Sequence, residues 1–207
     1  MGYDREPRYL HPYIAGRLPK ILDAVQAKLP ADHTAKLVSA HRTPDDQFKL
    51  FKQGRVFRNG SWVKVGPVVT HLDGFVKASR HNNMPCTAFD IGIFRGSTYL
   101  GDSPLYKHVK EGTKFGLDWG GNWARFKDMP HLEMPPAVFF KSSLEKDQGL
   151  VWQHYLQAAG SYTGAMDGIF GTNSLKALKA STGQETRNLK AWDFLYNTFG
   201  KLDARYP

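Results

Sequence analysis

Two histidines and two carboxylates lie in two short polar segments of this 207-residue chain. The first segment, Ser79-Arg80-His81-Asn82, is followed by Asp90, nine residues after the histidine. The second segment is Asp128-Met129-Pro130-His131-Leu132-Glu133. Two imidazoles and one carboxylate can hold a zinc ion, and a further carboxylate is then left to act as a base. This combination indicates hydrolysis of a stable bond by metal-activated water.

A catalytic zinc ion usually takes three protein ligands and keeps one position for water. His81, Asp90 and His131 would provide these three ligands. Asp128 is our first candidate for the base that takes a proton from the water, because it lies close to His131 along the chain. Glu133 would share a face with His131 in an extended segment, so it could orient that ligand or act as the base itself.

One cation and two further histidines complete the candidate residues. Arg42, in Ser39-Ala40-His41-Arg42-Thr43, could stabilise the negative charge that develops on a carbonyl oxygen during hydrolysis. His41 and His71 remain alternative metal ligands. Cys86 is the only cysteine, so a cysteine-based zinc knuckle and an intramolecular disulfide are both excluded.

Hydrophobic periodicity predicts the elements that would position these residues. It indicates a helix at about 16–29, and a second helix that begins at Thr43-Pro44 and ends at Gly54. Strands are predicted at 36–40, 67–71, 87–94, 115–119 and 132–140, with a hairpin at 55–65 and a short helix at 103–110. Helices followed by short strands and long loops predict an α+β domain, in which helices pack on an antiparallel sheet.

The composition changes at 141–146, Lys-Ser-Ser-Leu-Glu-Lys, which we interpret as a linker. Beyond it, apolar residues predict three helices: one closed by Gly160, one capped by Thr172 and a last one around Trp192. The sequence therefore predicts a catalytic domain followed by an all-α three-helix module. We expect these two domains to occupy residues 1–140 and 147–207.

In order and combination, the motifs resemble those of the zinc peptidases that include D-Ala-D-Ala carboxypeptidases and the L-alanyl-D-glutamate endopeptidases of phage endolysins. The resemblance spans roughly residues 8–135. It rests on Ser39–Thr43 with Gln47 and Gly54-Arg55, on Ser79–Asn82 with Asp90, and on Trp119–Trp123 with Phe126, Asp128, Pro130, His131 and Glu133. The resemblance implies His81, Asp90 and His131 as metal ligands. It also implies Asp128 as the base and Arg42 as the group that clamps the substrate carbonyl.

One spacing departs from the family pattern. Many members place the first histidine and the aspartate closer together, with a glycine between them. Here Asp90 lies nine positions after His81, and the intervening segment includes Asn82-Asn83-Met84-Pro85-Cys86-Thr87. The departure leaves the implied ligands in place but leaves open the shape of the pocket, and with it the bond that is cut.

The C-terminal segment resembles the common peptidoglycan-binding three-helix domain. The match is clearest over 147–180 and includes Asp167-Gly168-Ile169-Phe170-Gly171. Together, the two resemblances imply a phage-type endolysin that cuts a stem-peptide bond of peptidoglycan, L-Ala–D-Glu in the first instance, by zinc-activated water. A D,D-carboxypeptidase that removes terminal D-Ala and a non-catalytic cell-wall-binding protein are the alternatives.

The chain has a net charge of +9 and a pI near 9.6, which suits an anionic partner such as a bacterial cell wall. The basic residues are scattered, so we do not expect nucleic acid as a partner. Residues 1–8 lack the apolar core of a secretory signal, and no stretch approaches the ~20 apolar residues of a membrane span. We expect a monomer that stays in the host bacterial cytoplasm until lysis and then reaches the cell wall or periplasm, without membrane insertion.

Overall fold

The computed structural model describes residues 5–136 and 143–202. Within these ranges the chain has an α+β fold, with one antiparallel sheet, a separate β-hairpin and a helical C-terminal region. The predicted fold class is therefore confirmed.

The main sheet contains five short strands. They are β1 (His33–Ser39), β4 (Ala88–Arg95), β5 (Thr98–Tyr99), β6 (Asp118–Trp119) and β7 (His131–Glu133). The strand order is β1-β4-β7-β6, and β5 pairs with the end of β4. All neighbouring strands are antiparallel. The central strand β4 is mostly buried because it lies between β1 and β7.

The hairpin consists of β2 (Arg55–Arg58) and β3 (Ser61–Lys64). It turns at Asn59-Gly60, where both residues have positive φ, as a tight hairpin turn requires. The hairpin follows a helix with the predicted start: Thr43 Oγ1 accepts a hydrogen bond from the Asp46 N–H, and Pro44 occupies the first turn.

Helices cover the sheet and form the C-terminal region. The helices before the sheet's last strand are α1 (Pro12–Ala15), α2 (Leu18–Gln26), α3 (Pro44–Lys52) and a 3₁₀ run at Pro104–Phe115. The C-terminal helices are α4 (Leu144–Ala158), α5 (Thr172–Thr182) and α6 (Leu189–Phe199). Ile14, Ile21 and Val25 are completely buried against Phe89 and Ile91 of β4 in the first hydrophobic core.

A second core lies among the C-terminal helices. Trp152, Leu178 and Trp192 are buried there, and Tyr9, from the beginning of the chain, belongs to the same cluster. The indole N–H of Trp192 donates to the Arg8 carbonyl oxygen at 3.0 Å. The C-terminal helices are therefore packed against the N-terminal segment.

Several predicted boundaries differ from the structure. The strand at 67–71 is wrong: this segment is irregular and pairs with no described strand. The linker prediction is wrong for 144–146, which belong to α4, while 141–142 lie outside the described residues. The helix predicted at 16–29 is shorter and spans Leu18–Gln26, whereas the helix predicted at 103–110 extends to Phe115 as a 3₁₀ run. The strand predicted at 132–140 ends at Glu133, and 137–140 lie outside the described residues. No helix of the described ranges is long and apolar enough to cross a membrane.

Candidate metal centre

The sheet register places two of the candidate ligands side by side. Asp90 in β4 lies directly opposite His131 in β7. Residues opposite each other in an antiparallel pair point to the same face of the sheet. Accordingly, His131 Nδ1 is 3.0 Å from Asp90 Oδ1.

His81 reaches this pair from a short 3₁₀ turn, Arg80–Asn82. The turn is capped at both backbone donors: Ser79 Oγ accepts from the His81 N–H at 3.3 Å, and Asn82 Oδ1 accepts from the Ser79 N–H at 2.7 Å. The His81 side chain is buried, and its Nε2 lies 3.3 Å from His131 Nδ1 and 3.4 Å from Asp90 Oδ1.

These three atoms form a nearly equilateral triangle with sides of 3.0, 3.3 and 3.4 Å. A tetrahedral ion with bonds of about 2.0–2.1 Å keeps its ligand atoms about 3.3–3.4 Å apart. His81, Asp90 and His131 could therefore hold a metal ion with little rearrangement.

Contacts on the far side of each imidazole fix its orientation. His81 Nδ1 lies 2.6 Å from the Ala40 carbonyl oxygen, which can only accept a hydrogen bond. The proton is therefore on Nδ1, and Nε2 has a lone pair facing the triangle. His131 Nε2 lies 3.1 Å from Glu133 Oε2, which leaves its Nδ1 facing the other two ligand atoms. Such partners orient metal-binding histidines.

Arg42 supports the carboxylate. Its Nη2 donates to Asp90 Oδ2 at 2.5 Å, and its Nη1 donates to Gln47 Oε1 at 3.3 Å. Gln47 is buried and donates in turn to the Leu72 carbonyl oxygen at 3.0 Å. Asp90 therefore presents Oδ1 to the two imidazoles while Arg42 holds Oδ2.

The electrostatics of the cluster favour a cation. Burial alone would lower the pKa of His131, but hydrogen bonds to Asp90 and Glu133 outweigh it and raise the pKa to about 9. Burial raises the pKa of Asp128 to about 6, with a further contribution from the charge of Asp90. Burial lowers the pKa of His81. The carboxylates of Asp90 and Glu133 therefore favour a positive charge at this position.

A cavity of about 540 Å³ opens beside this cluster. All six residues predicted from the sequence line it: Arg42, His81, Asp90, Asp128, His131 and Glu133. Its outer wall includes Phe126, whose ring centroid is 4.8 Å from that of His71. Three further cations also line the cavity: Arg80, Arg125 and Lys127. The structure thus brings the predicted site residues together around one space.

The two alternative ligands lie outside the triangle. His71 lines the cavity, but its contacts are the Phe126 ring and Arg55, whose Nη2 is 3.5 Å from His71 Nδ1. The buried His41 has its Nδ1 3.2 Å from the Asn83 carbonyl oxygen. Among the described residues, neither belongs to the group whose ligand atoms converge.

Two kinds of contributor to the site are not among the residues predicted from the sequence. The Ala40 carbonyl oxygen orients His81, but a backbone group leaves no side-chain signal in a sequence. The cations at the cavity wall were also missed, although Arg80 lies next to His81, and Arg125 and Lys127 lie just before Asp128. Their positions inside the two motif segments were the signal that could have found them.

No family model matches the chain. The peptidoglycan L-alanyl-D-glutamate endopeptidase CwlK of Bacillus subtilis (strain 168) is 32% identical over 139 residues. The aligned region covers 63% of this chain and 76% of CwlK. At this identity and coverage, the chain belongs to the family of the peptidoglycan endopeptidase CwlK.

Proposed function

We propose that this protein is a peptidoglycan hydrolase that cuts a peptide bond of the stem, with L-Ala–D-Glu as the bond, and that it uses a zinc ion held by His81, Asp90 and His131. The observation that supports the proposal most strongly is the triangle of ligand atoms at the wall of an open cavity. The similarity to CwlK, whose name states that activity, supports this choice of bond.

Zinc is the metal that best suits these ligands. Two imidazoles and one carboxylate are a common donor set of catalytic zinc sites, which keep a further position open. When bound, zinc acts as a Lewis acid that makes water more acidic and polarises a carbonyl group.

Asp128 is the proposed base. Asp128 lies at the cavity wall. Its backbone carbonyl oxygen accepts a hydrogen bond from the His131 N–H at 3.3 Å, which ties the backbone at Asp128 to the start of β7. Its carboxylate would take a proton from the attacking water and deliver it to the departing amine. Glu133 is less suited to that role, because Oε2 contacts His131 and Oε1 lies 3.8 Å from Arg80 Nη2.

Arg42 would act on the substrate carbonyl. Its guanidinium has five N–H donors, and the hydrogen bonds to Asp90 and Gln47 occupy only part of that capacity. The remaining donors at the cavity wall would stabilise the negative charge on the carbonyl oxygen as the bond is attacked. Arg42 would then contact both the proposed metal ligand Asp90 and the substrate carbonyl oxygen.

We also propose a wall-binding role for the C-terminal helices and an endolysin role for the whole protein. The protein would act as a monomer, remain in the bacterial cytoplasm until lysis and then degrade the cell wall. Its net charge of +9 and the cations at the cavity wall suit an anionic polymer with acidic stem peptides.

The proposal is tested by metal analysis and lysis assays on the same preparation. We expect about one zinc per chain, since the described residues offer one three-ligand site. Chelation should abolish the clearing of murein suspensions, and added zinc should restore it. Murein clearing that is unaffected by complete metal removal would refute the zinc mechanism, whereas zinc binding without any cleavage would favour a non-catalytic wall-binding protein.

A further inference from the structure

The C-terminal helices contact the loop that joins two of the proposed metal ligands. This ligand loop, residues 83–87, runs from the turn that carries His81 to the strand that carries Asp90. A contact to this loop can therefore affect the positions of both proposed ligands.

Two side chains of α4 hold the ligand loop by hydrogen bonds. The indole N–H of Trp152 donates to the Met84 carbonyl oxygen at 2.8 Å, and Gln148 Nε2 donates to the Pro85 carbonyl oxygen at 3.0 Å. Gln148 and Trp152 lie four positions apart, and hence on one face of the helix. Both are buried, so these two successive carbonyl groups are held from inside the protein.

The ligand loop is in turn tied to the metal-binding backbone. Asn83 Nδ2 donates to Thr87 Oγ1 at 2.7 Å, which closes the loop on itself. The Thr87 N–H donates to the Arg80 carbonyl oxygen, next to His81, at 3.4 Å. The Cys86 N–H donates to the Tyr9 carbonyl oxygen at 2.7 Å. Because the loop is closed on itself and bonded to Arg80, a displacement of Met84 or Pro85 would be transmitted towards His81 and Asp90.

We propose that α4 positions the metal site through this loop, with Gln148 and Trp152 as the positioning residues. The inference rests on the proposed function, because it requires a metal at His81 and Asp90. Loss of either donor leaves a carbonyl group of the loop without its partner from α4, so the loop would rearrange to satisfy that group. The C-terminal helices would then tune metal affinity, in addition to any role on the cell wall.

The test compares substitutions that remove one donor each. Gln148→Met keeps the length of the side chain, and Trp152→Phe keeps an aromatic ring in the second core. The matched control is Tyr155→Phe, which removes the hydrogen bond from another buried α4 side chain to the Gly200 carbonyl oxygen, at 2.9 Å, away from the loop. Two readouts are needed: zinc affinity by competition with a chelator, and hydrogen exchange of the backbone amides of Asn83, Met84, Cys86 and Thr87 in the metal-free protein.

We expect Gln148→Met and Trp152→Phe each to bind zinc about tenfold more weakly, which is the lower end of the range for residues that orient metal ligands. Tyr155→Phe should bind zinc with the affinity of the unaltered protein. Exchange at 83–87 should be faster in the donor variants only. Gln148→Met is the milder change and keeps the test valid if Trp152→Phe does not fold.

Unchanged zinc affinity in a folded Gln148→Met variant would overturn the inference. An equal loss of zinc affinity in Tyr155→Phe would also overturn it, because that result would indicate general destabilisation. A failure of the proposed function is distinguishable, because the unaltered protein would then bind no zinc. In that case the exchange rates decide whether α4 holds the loop: equal rates in all variants would overturn that part as well.

Discussion

Each proposed metal ligand has a polar contact on the side that faces away from the ion position. His81 contacts the Ala40 carbonyl oxygen, His131 contacts Glu133, and the second oxygen of Asp90 accepts from Arg42. These contacts fix the orientations of both imidazoles and the rotation of the carboxylate. The ligand atoms are therefore arranged before an ion arrives, which lowers the cost of binding it.

The different surroundings of Asp128 and Glu133 suit the separate roles proposed for these two carboxylates. Replacing Asp128 by Asn keeps the size of the side chain but removes its ability to accept the proton of water. We expect near-normal zinc content and a rate loss of at least ~10²-fold, the usual scale for a missing general base. Turnover of a soluble stem peptide, with metal analysis of the same sample, measures both.

The matched control is Glu133→Gln. It should lower zinc affinity by about tenfold, because Glu133 orients His131, and leave the zinc-loaded enzyme largely active. If Glu133→Gln is instead zinc-loaded and inactive while Asp128→Asn turns over normally, the two roles are reversed.

Arg42→Lys should reduce turnover even though the charge is kept. A lysine has no planar fork, so it cannot hold Asp90 and Gln47 together and still donate to a substrate carbonyl. We expect a turnover loss of about 10²-fold on a soluble stem peptide, the scale of one lost oxyanion donor. Arg125→Lys, at the exposed edge of the same cavity, serves as the control and should change turnover little. Equal kinetics of the two variants would show that Arg42 is not part of the catalytic machinery.

At the scale of elements, the sequence predicts the helices and strands whose ends are marked by turn or capping residues. The hairpin followed from Asn59-Gly60, and the start of α3 followed from Thr43-Pro44. The segment 67–71 is predicted as a strand, but it is irregular in the structure and no described strand pairs with it. The register that places Asp90 opposite His131 depends on residues 41 positions apart, so local patterns could not predict it.

The start of α1 should make stability depend on pH. His11 Nδ1 accepts a hydrogen bond from the Tyr13 N–H at 3.2 Å, so the proton lies on Nε2, 3.5 Å from the Asp147 carbonyl oxygen. Burial lowers the pKa of His11 from its ordinary value of 6.5 to about 4. Between these values the unfolded chain binds a proton that the folded protein does not. The free energy of unfolding should therefore fall by about 3 kcal/mol as pH drops from 6.5 to about 4, and not change on this account above 6.5.

His11→Asn tests this assignment. Asparagine is a good helix cap and does not titrate, so the variant should lose this component of the acid sensitivity. Urea unfolding of both proteins at a series of pH values across this window gives the comparison. Identical pH dependence in the two proteins would exclude His11 as the source.

At the scale of the whole molecule, the N-terminal region and the C-terminal helical region share an interface. Tyr9 belongs to the second core, and its hydroxyl donates to Asp193 Oδ1 at 2.9 Å. Trp152 and Gln148 contact the ligand loop from the same helical region. The sequence indicated the helical region through its apolar periodicity and its family motif. It could not show this packing, because the contacting residues lie far apart along the chain.

The proposed wall-binding role predicts a surface on the helical region. A groove of about 460 Å³ there is lined by Asn173, Lys176 and Tyr162, among others. Lys176→Glu should weaken sedimentation of the full-length protein with murein sacculi, while turnover of a soluble peptide stays unchanged. Lys190→Glu makes the same charge change at an exposed position outside the groove. Equal effects of the two variants would show that net charge, and not the groove, governs wall binding.

The central claim, a metal-dependent cut in the peptidoglycan stem, is tested most directly by mass spectrometry of fragments released from purified murein. The zinc-loaded protein, the chelated protein and the His131→Ala variant should be compared in parallel. We expect fragments with a new amino terminus on D-Glu from the zinc-loaded protein, and none from the other two. Release of free D-Ala alone would identify a carboxypeptidase instead. The same D-Glu fragments from chelated protein or from His131→Ala would contradict the proposed metal site.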